Sequence, residues 1–557
     1  MADSKLIKIL KNIAILLEIK GENPFKFRAY STAADILEEE NIDIREAVSN
    51  NTLSEIKGIG SALTQKITEY VETGKITFYE KLIAEIPESL AEVTKISQIG
   101  PKKAKLLWEK LNIKTVNELQ KACENDSLSN VKGFSAKSQE MILNSIYHRK
   151  ASKGLHLQNT AIFEAEAILD FLRSSDNITK AEITGDYRRF CETLQILEFV
   201  VESSTINNVA LLLSEKYQIE THGNIIEFIT QSEIPARIYV SDKKNYYKIL
   251  HETTGNEQYL KAMDEYCTQL NVESAEIEFD SEEKIYSHFS LQFVPPELRE
   301  SARAIKNAAN TTIPDLIEDK DLKGMLHVHT NWSDGKHTIE QMALAAKSMG
   351  FEYIAICDHS KTAAYAGGLS IERVHSQMAE IDNINKQIEG ITILKGIESD
   401  ILPDGSLDYP DEILSLFDIV VASVHSNFNM KRTEMTRRLI YALMSPYTTI
   451  LGHPTGRLLL ARNAYELDIH EIIDAAVDLG KVIEINANPY RLDLSWEDSI
   501  YAKEKGMKFA INPDSHRYDT MTDVFLGVKS ARKAWLTKND VINCLSIDEF
   551  RSKIIKK

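Results

Sequence analysis

The chain has 557 residues, 43% of them hydrophobic, with 65 Lys+Arg against 83 Asp+Glu and a net charge of −18. That length calls for several domains, and the acidic total taken alone argues against a nucleic-acid binder. No apolar run approaches the ~20 residues of a membrane span, and five scattered cysteines (Cys123, Cys191, Cys267, Cys357, Cys544) with no CxxC fit a reduced cytosol rather than a disulfide scaffold. The charge is uneven, however. Residues 1–150 hold 22 basic and 21 acidic side chains, which leaves 43 against 62 in the remainder. An acidic body with a near-neutral head fits two jobs in one chain.

The chain opens on MADSKLIKILKNIAILLEIKGE, whose charge every few residues makes it an amphipathic helix and not a signal peptide. Three later segments share a form: EIKGIGSALTQKITEYV (55–71), KISQIGPKKAKLLWEKL (95–111) and NVKGFSAKSQEMILNSI (130–146). Each has a short apolar lead, a glycine turn and a helix that opens on small or basic residues. Such a turn aims backbone N–H groups from a helix N-terminus, where an anion such as a DNA phosphate is favoured. Gly58, Gly60, Gly100 and Gly133 permit close approach, and Lys57, Lys66, Lys102, Lys103 and Lys105 supply attraction. In the third segment Ser135 stands where the second glycine would be. NPFKFRAYSTAADIL (23–37) adds Lys26, Arg28 and Tyr30, either for a terminal phosphate or as a solvated basic face. The three segments resemble the helix-hairpin-helix motif, which implies DNA held by its backbone without sequence reading. Ordinary helix packing is the alternative.

Next comes TGDYRRFCETLQILEFVV (184–201), a turn, two arginines and a strand with one carboxylate, Glu198. With DNA-gripping turns upstream, it resembles the palm of family X DNA polymerases. Gly185, Tyr187, Arg188, Arg189, Glu192 and Thr193 match that family's motif, and the resemblance puts Arg188 and Arg189 near DNA. The catalytic positions depart from it. Ile196 stands at the first aspartate, Glu198 at the second, and Pro235 near the third, while Asp186 replaces the serine that would meet the triphosphate. Two-metal nucleotidyl transfer needs a cage of hard oxygen ligands, which isoleucine and proline lack. The expectation is a palm kept as a scaffold. One rescue is open, in which Glu233 shares a strand face with Pro235 and pairs with Glu198. TGNEQYLKAM (254–263) and FVPPELRE (293–300) extend the likeness as a thumb.

Beyond a polar linker (306–323), seven apolar runs alternate with helical stretches: GMLHVHT, FEYIAICDHS, ITILKGIESD, FDIVVASVHS, YTTILGHPTG, KVIEINANP and KFAINPDSH. This pattern predicts a parallel β/α barrel with function at the carboxyl ends of its strands. There lie His327, His329, His359, Glu398, His425, His453, Asp514 and His516. In LHVHT, alternation puts both imidazoles on one face. So many ionisable groups in one cup need a partner, and metal is that partner.

The segments LHVHTNWSDG, GIESDILPDGSLDYPDE, SVHSNFN, LGHPTGRLL, EINANPYRLD and NPDSH closely resemble the PHP (polymerase and histidinol phosphatase) domain. The resemblance implies a site for up to three ions. His327, His329, Glu398 and Asp514 would hold one, Glu398, His425 and His453 a second, and Asp334, His359 and His516 a third. It favours Mn²⁺, with Zn²⁺ or Fe²⁺ as alternatives. His327, His329, Glu398 and His425 become the core of catalysis, and Arg457 and Lys361 are candidates to hold phosphate oxygens.

The whole pattern resembles bacterial family X polymerases with a C-terminal PHP domain. Expected limits are 1–78 for an N-terminal helix-hairpin-helix domain and 79–150 for a fingers-like one. They continue with 151–241 for an α+β palm, 242–305 for the thumb, 306–323 for the linker and 324–557 for a distorted (β/α)7 barrel. The implied function is a DNA repair nuclease, a 3′→5′ exonuclease and 3′-phosphodiesterase with abasic-site cleavage as an extension, acting on gapped, nicked or 3′-ended duplex in a bacterial cytoplasm at the nucleoid. An active gap-filling polymerase, a histidinol-phosphate-type phosphatase and a non-catalytic scaffold are the alternatives. No membrane contact is expected, and the sequence points to no protein partner.

Overall fold

The structure, a computed structural model, describes residues 3–39, 42–270 and 277–555. Residues 271–276 of the expected thumb, with 1–2, 40–41 and 556–557, lie outside the described residues. The chain divides into a unit of residues 1–153 and a unit of residues 154–557. No helix among the described residues is long and apolar enough to cross a membrane.

In the first unit the described elements are all helical. Helix Ser4–Lys20 begins where the Asp3 carboxylate accepts the Leu6 amide, and it ends at Gly21 in the left-handed region. Leu6, Leu10, Ile13 and Leu17 recur at helical spacing and are buried. The three glycine turns share one backbone plan. A left-handed residue (Gly58 at φ 103°, Gln98 at 71°, Gly133 at 99°) is followed by a buried anchor, Ile59, Ile99 or Phe134. Then comes the N-cap, Gly60, Gly100 or Ser135, of helices Ser61–Thr73, Pro101–Leu111 and Ala136–Ala151. Ser135 is therefore no defect, because its hydroxyl accepts the Ser138 amide at 3.2 Å and closes the helix end. The odd residue is Gln98, which holds a conformation that suits glycine.

The second unit begins with a short antiparallel ribbon of β1 (His156–Leu157) and β3 (Thr193–Leu194). Five further strands make the palm sheet: β2 (Lys180–Thr184), β4 (Leu197–Glu202), β5 (Ile219–His222), β6 (Ile225–Ile229) and β7 (Pro235–Ser241), in the order β2-β4-β7-β6-β5. Helices Tyr246–Thr254, Glu257–Leu270, Glu282–His288 and Ala302–Ala309 follow as a thumb-like layer. Residues 306–323 are not a free linker. Ile313 and Leu316 pack with the thumb-like helices, and Ile317 enters the barrel core.

The seven apolar runs are seven parallel strands: β8 (Gly324–Val328), β9 (Tyr353–Ile356), β10 (Thr392–Asp400), β11 (Ile419–Ser423), β12 (Ile450–Leu451), β13 (Val482–Asn486) and β14 (Lys508–Asn512). They lie side by side in chain order. A Val328–Ser515 bridge, with the His329 amide donating to the Ser515 carbonyl at 2.8 Å, brings the last strand's end back to the first. Leu326, Ala355, Leu394, Val421, Ile450 and Ala510 form a buried apolar cluster. On β10, β11, β13 and β14, polar residues continue the same strand faces toward the carboxyl ends. On β8 the pairing with β9 slips between Met325 and Val328. This bulge lets Leu326 join the apolar filling while His327 still turns to the polar mouth.

Candidate metal centre

Each barrel strand ends where its backbone leaves the sheet, and these ends bring together all nine residues named from the sequence. Glu398, on β10, is 1% exposed and stands at the centre. Its carboxylate lies 3.5 Å from His327 Nε2, 3.6 Å from His329 Nε2, 2.8 Å from His359 Nδ1, 3.3 Å from His425 Nε2 and 3.0 Å from His453 Nε2. Asp514 approaches His329 Nε2 at 3.1 Å, and Asp334 approaches His516 Nε2 at 3.3 Å. Donor atoms fall into three groups, each within 4.8 Å: His329, Asp334, His359 and His516; His327, His329 and Asp514; and His359, Glu398 and His425. His329 and His359 thus each serve two groups, a finer sharing than the resemblance implies.

The electrostatics match a cation site. His329 Nδ1 and His453 Nδ1 are buried with no hydrogen-bond partner, while His327 Nε2, His329 Nε2, His359 Nδ1 and Glu398 Oε2 are buried and meet opposite charge at ion-pair distance without hydrogen-bond geometry. Buried polar atoms are otherwise nearly always paired, so this cluster fits divalent cations rather than a protein-only network. Burial pushes Glu398 toward its neutral form, but the surrounding imidazoles overcome it and hold the carboxyl well below its usual range. Burial, with His516 and His359 beside it, takes His329 down to about 3. Against burial, Glu398 and Asp334 carry His359 up to about 10. A site whose carboxylates stay ionised and whose histidines compete for them is balanced by added positive charge.

A second ring of groups was not singled out from the sequence. Glu484 on β13 accepts from His327 Nδ1 at 2.8 Å and from the His453 amide at 2.8 Å. Asp400 pairs with His425 Nδ1 at 2.6 Å. Asp358 takes the Thr330 amide and hydroxyl, the Ser333 hydroxyl and the Gln377 amide. Asp493 accepts the amides of Thr455 and Gly456 at 3.0 Å each. Such partners fix which ring nitrogen faces an ion. The signal was present as period two: Asp400 follows Glu398 on one strand face, and Glu484 precedes Asn486 on another.

The two cations proposed for phosphate fare differently. Arg457 is not free for that work. Its guanidinium pairs with Glu192 of the palm at 2.5 Å and donates to the carbonyls of Arg491 and Leu492. Lys361 is exposed, with Nζ 5.6 Å from the Tyr409 ring and no ion pair among the described residues.

The palm residues are also in place. Glu198 pairs across β4 with Thr184 and Arg237. Its carboxylate accepts the Tyr239 hydroxyl at 2.8 Å and lies 3.6 Å from Arg237. A Cβ on Gly185, at φ 65°, would stand 2.2 Å from Glu198 Oε2, so this carboxylate is closely boxed. Burial raises its pKa. Glu233 does not join it: Glu233 is exposed, at φ 61°, in the turn before β7, four residues ahead of Arg237 on a strand rising ~3.3 Å per residue. Ile196 and Pro235 line an open groove of ≈ 920 Å³ with Tyr217 and Phe228, and bring no side-chain oxygen to it.

Arg188 and Arg189, expected at DNA, are internal braces instead. Arg188 bonds Thr254 at 2.8 Å and Glu282 at 2.5 Å. Arg189 bonds the Thr254 carbonyl, Asp186 and Glu300. Ion pairing spends their charge inside the fold.

In the helical unit, the helices after the three turns have no acidic residue in their first turn, which leaves their positive ends open to an anion. Lys57, Lys102, Lys26 and Arg28 are exposed, Lys26 with Glu22 at 3.2 Å. Lys66 and Lys103 lie over the rings of Phe78 and Phe134 at 5.4 and 5.2 Å, and Lys105 donates to the Lys20 carbonyl at 3.2 Å. Tyr30 is buried and stacks on Phe78, so it leaves the basic face.

Comparison with known proteins matches three segments of the chain. Residues 1–76 match the helix-hairpin-helix domain, residues 90–146 the SAM-like helix-hairpin-helix tandem, and residues 325–488 the PHP domain. A probable phosphatase of Caldanaerobacter subterraneus subsp. tengcongensis is 32% identical over 208 residues, 35% of this chain and 77% of that protein. A probable phosphatase of Thermoanaerobacter sp. (strain X514) is 30% identical over 237 residues, 40% of this chain and 91% of that protein. The DNA polymerase/3′-5′ exonuclease PolX of Bacillus subtilis (strain 168) is 35% identical over an alignment of 568 positions, which covers 99% of this chain and 98% of that protein. The chain therefore belongs to the bacterial PolX family, with helix-hairpin-helix segments at its start and a PHP barrel at its end.

Proposed function

We propose that the barrel is a metal-dependent 3′→5′ exonuclease and 3′-phosphodiesterase of DNA repair, extending to abasic sites, and that the palm is an inactive DNA platform. The observation that carries this reading is the contrast between two sites of one chain. The barrel keeps nine convergent donors, with Glu398 at their centre. The palm keeps one boxed carboxylate and no second oxygen at Ile196 or Pro235. The working parts are 1–78 and 79–150 for DNA, 151–241 and 242–305 for palm and thumb, 306–323 as a packed connection, and 324–557 for the chemistry.

His327, His329, Asp334, His359, Glu398, His425, His453, Asp514 and His516 would hold the ions, and the mixed nitrogen and oxygen set suits Mn²⁺. Bound ions supply a nucleophile from water near neutral pH and neutralise phosphate oxygens. The chain's own part is positioning. Glu484 and Asp400 hold His327 and His425 by Nδ1, which leaves Nε2 toward Glu398. Lys361 offers an uncommitted ammonium at the rim. The lysine-bearing turns hold the backbone of gapped, nicked or 3′-ended duplex.

The test uses a one-nucleotide-gapped duplex with a 5′-labelled primer, Mn²⁺, and dNTPs present or absent, beside a His327→Ala/His329→Ala variant. The primer shortens with the wild type, is preserved with the variant and never lengthens. Lengthening that survives the variant sinks the inactive palm and restores the polymerase activity named for the Bacillus subtilis relative. A small-molecule phosphatase is the second reading, favoured by the probable phosphatases that match 35% and 40% of this chain. Release of phosphate from histidinol phosphate with intact primer would select it.

A further inference from the structure

His453 cannot be oriented through its own ring. Glu484 holds His327 by Nδ1 and Asp400 holds His425 by Nδ1, but the Nδ1 of His453 is buried with no partner. His329 shares that lack, yet its amide is held by the Ser515 carbonyl at the seam of the barrel. His453 follows β12, the shortest barrel strand at two residues, and its φ is 25°, a left-handed value that disfavours a side chain. A residue so placed persists only where its surroundings over-determine it. The aim of its Nε2 at Glu398 therefore depends on its backbone and on the loop that follows.

That loop is tied in two directions. Asp493, fully buried in the loop after β13, accepts the Thr455 and Gly456 amides on its Oδ2. Arg457 crosses the other way and donates to the carbonyls of Arg491 and Leu492. Glu192 of the palm then takes the Arg457 guanidinium at 2.5 Å, with the two side chains 19% and 18% exposed. Glu192 stands on a pinned segment. The Cys191 carbonyl accepts the Gln158 side-chain amide at 2.5 Å, and the Cys191 amide donates to the Asp186 carbonyl at 2.9 Å. A rival for the guanidinium lies close by. The Oδ1 of Asp493 is buried with no hydrogen-bond partner, and after Glu192 the next carboxylate acting on Arg457 is Asp493. Out of water, such a cation and such an oxygen attract strongly. Without the Glu192 charge, Arg457 would turn to Asp493, and Asp493 would loosen its hold on the two amides.

We propose that Glu192 of the palm is a positioning residue for the barrel: it keeps Arg457 off Asp493 and so holds the loop that sets His453 toward Glu398. The palm thereby governs the ion that Glu398, His425 and His453 would share. This rests on the metal-dependent reading of the barrel and adds that the barrel's own residues do not suffice for its full set of ions.

The experiment strips the full chain of metal with a chelator and titrates it with Mn²⁺, with free Mn²⁺ read by electron paramagnetic resonance. Glu192→Gln keeps the shape and removes the charge. It is expected to weaken one class of bound Mn²⁺ about ten-fold and to leave the rest as in wild type. Glu192→Asp restores the charge and recovers part of the affinity. Glu192→Gln/Arg457→Met leaves no cation to turn on Asp493, and binds more tightly than Glu192→Gln. Glu297→Gln is the control for a broken joint. Glu297 pairs with Arg532 at 2.7 Å in a similarly enclosed thumb-to-barrel contact, and Arg532 bonds the Ile317 carbonyl rather than the His453 loop. This control is expected to bind Mn²⁺ as wild type does. An unchanged isotherm for Glu192→Gln, an equal loss in Glu297→Gln, or no recovery in the double variant overturns the proposal. Wild type that takes up no Mn²⁺ sinks the metal-dependent reading and this one together. Wild type that takes it up and leaves a labelled primer intact sinks the nuclease alone.

Discussion

Glu484 touches no substrate, yet it bonds the Nδ1 of His327 and the amide of His453 from one carboxylate. Its replacement by glutamine keeps the shape and loses the charge that sets the His327 tautomer. Glu484→Gln is expected to weaken divalent-metal binding about 10- to 100-fold, read by metal content after dialysis against graded chelator. Gln98 is the opposite case, a residue whose local geometry opposes its type. It is exposed at φ 71°, where its neighbours in the other two turns are glycines. Gln98→Gly is expected to stabilise the chain by about 0.5–1 kcal/mol, seen as a higher denaturant midpoint. Eight of the nine barrel donors were legible because each closes or directly follows an apolar run, and Asp334 was named only through the resemblance to the PHP domain. The left-handed state of Gln98 was not legible, because glutamine carries no mark of it. Nor was the engagement of Arg457, whose partner Glu192 stands 265 positions away in the chain.

At the level of elements, the seven strands of the barrel were readable from short apolar runs bounded by polar ends. The bulge on β8 was not, since it depends on what Leu326 meets across the lumen. The thumb-like helices were the least readable part, because charge pairs buried between distant segments organise them. Arg299, fully buried, bonds Glu282, which also holds Arg188. His251 lies beside this group, 5% exposed, with Nδ1 3.3 Å from the Tyr286 hydroxyl and Nε2 unpaired. Burial and the Arg299 charge pull its pKa down to about 3. An unfolded histidine takes up its proton near pH 6.5. As the pH falls from about 6.5 toward 3, the unfolded chain gains a proton that the fold refuses, and stability drops by at most ~1.4 kcal/mol per unit. Denaturant unfolding between pH 7 and pH 5 is expected to show that slope in wild type and a flatter one in His251→Gln.

Across the whole second unit, the residues that match a polymerase motif have become joints between palm, thumb and barrel. Glu192 pairs with Arg457 of the barrel, and Arg189 pairs with Glu300. Glu300 in turn holds Lys533, which is 2% exposed and also donates to the Arg189 carbonyl at 2.9 Å. Removal of Glu300 strands a buried ammonium. Glu300→Ala is expected to lower stability by about 3–5 kcal/mol, and Glu300→Ala/Lys533→Met to recover most of it, in the same denaturant assay. On the proposed reading of the palm as inactive, this motif serves the assembly of the second unit.

The order of strands around the barrel has one more consequence. His327 and His329 end the first strand, while Asp514 and His516 follow the seventh, and these two ends meet at the Val328–Ser515 bridge. An ion shared by His327, His329 and Asp514 would be a clasp on a ring, closing the seam where a single bridge joins the last strand's end to the first. The clasp cannot be fastened on a growing chain until nearly all of the barrel has left the ribosome. The proposed nuclease chemistry would thereby be withheld from every unfinished copy, and a chelator would act on the hoop as well as on the blade.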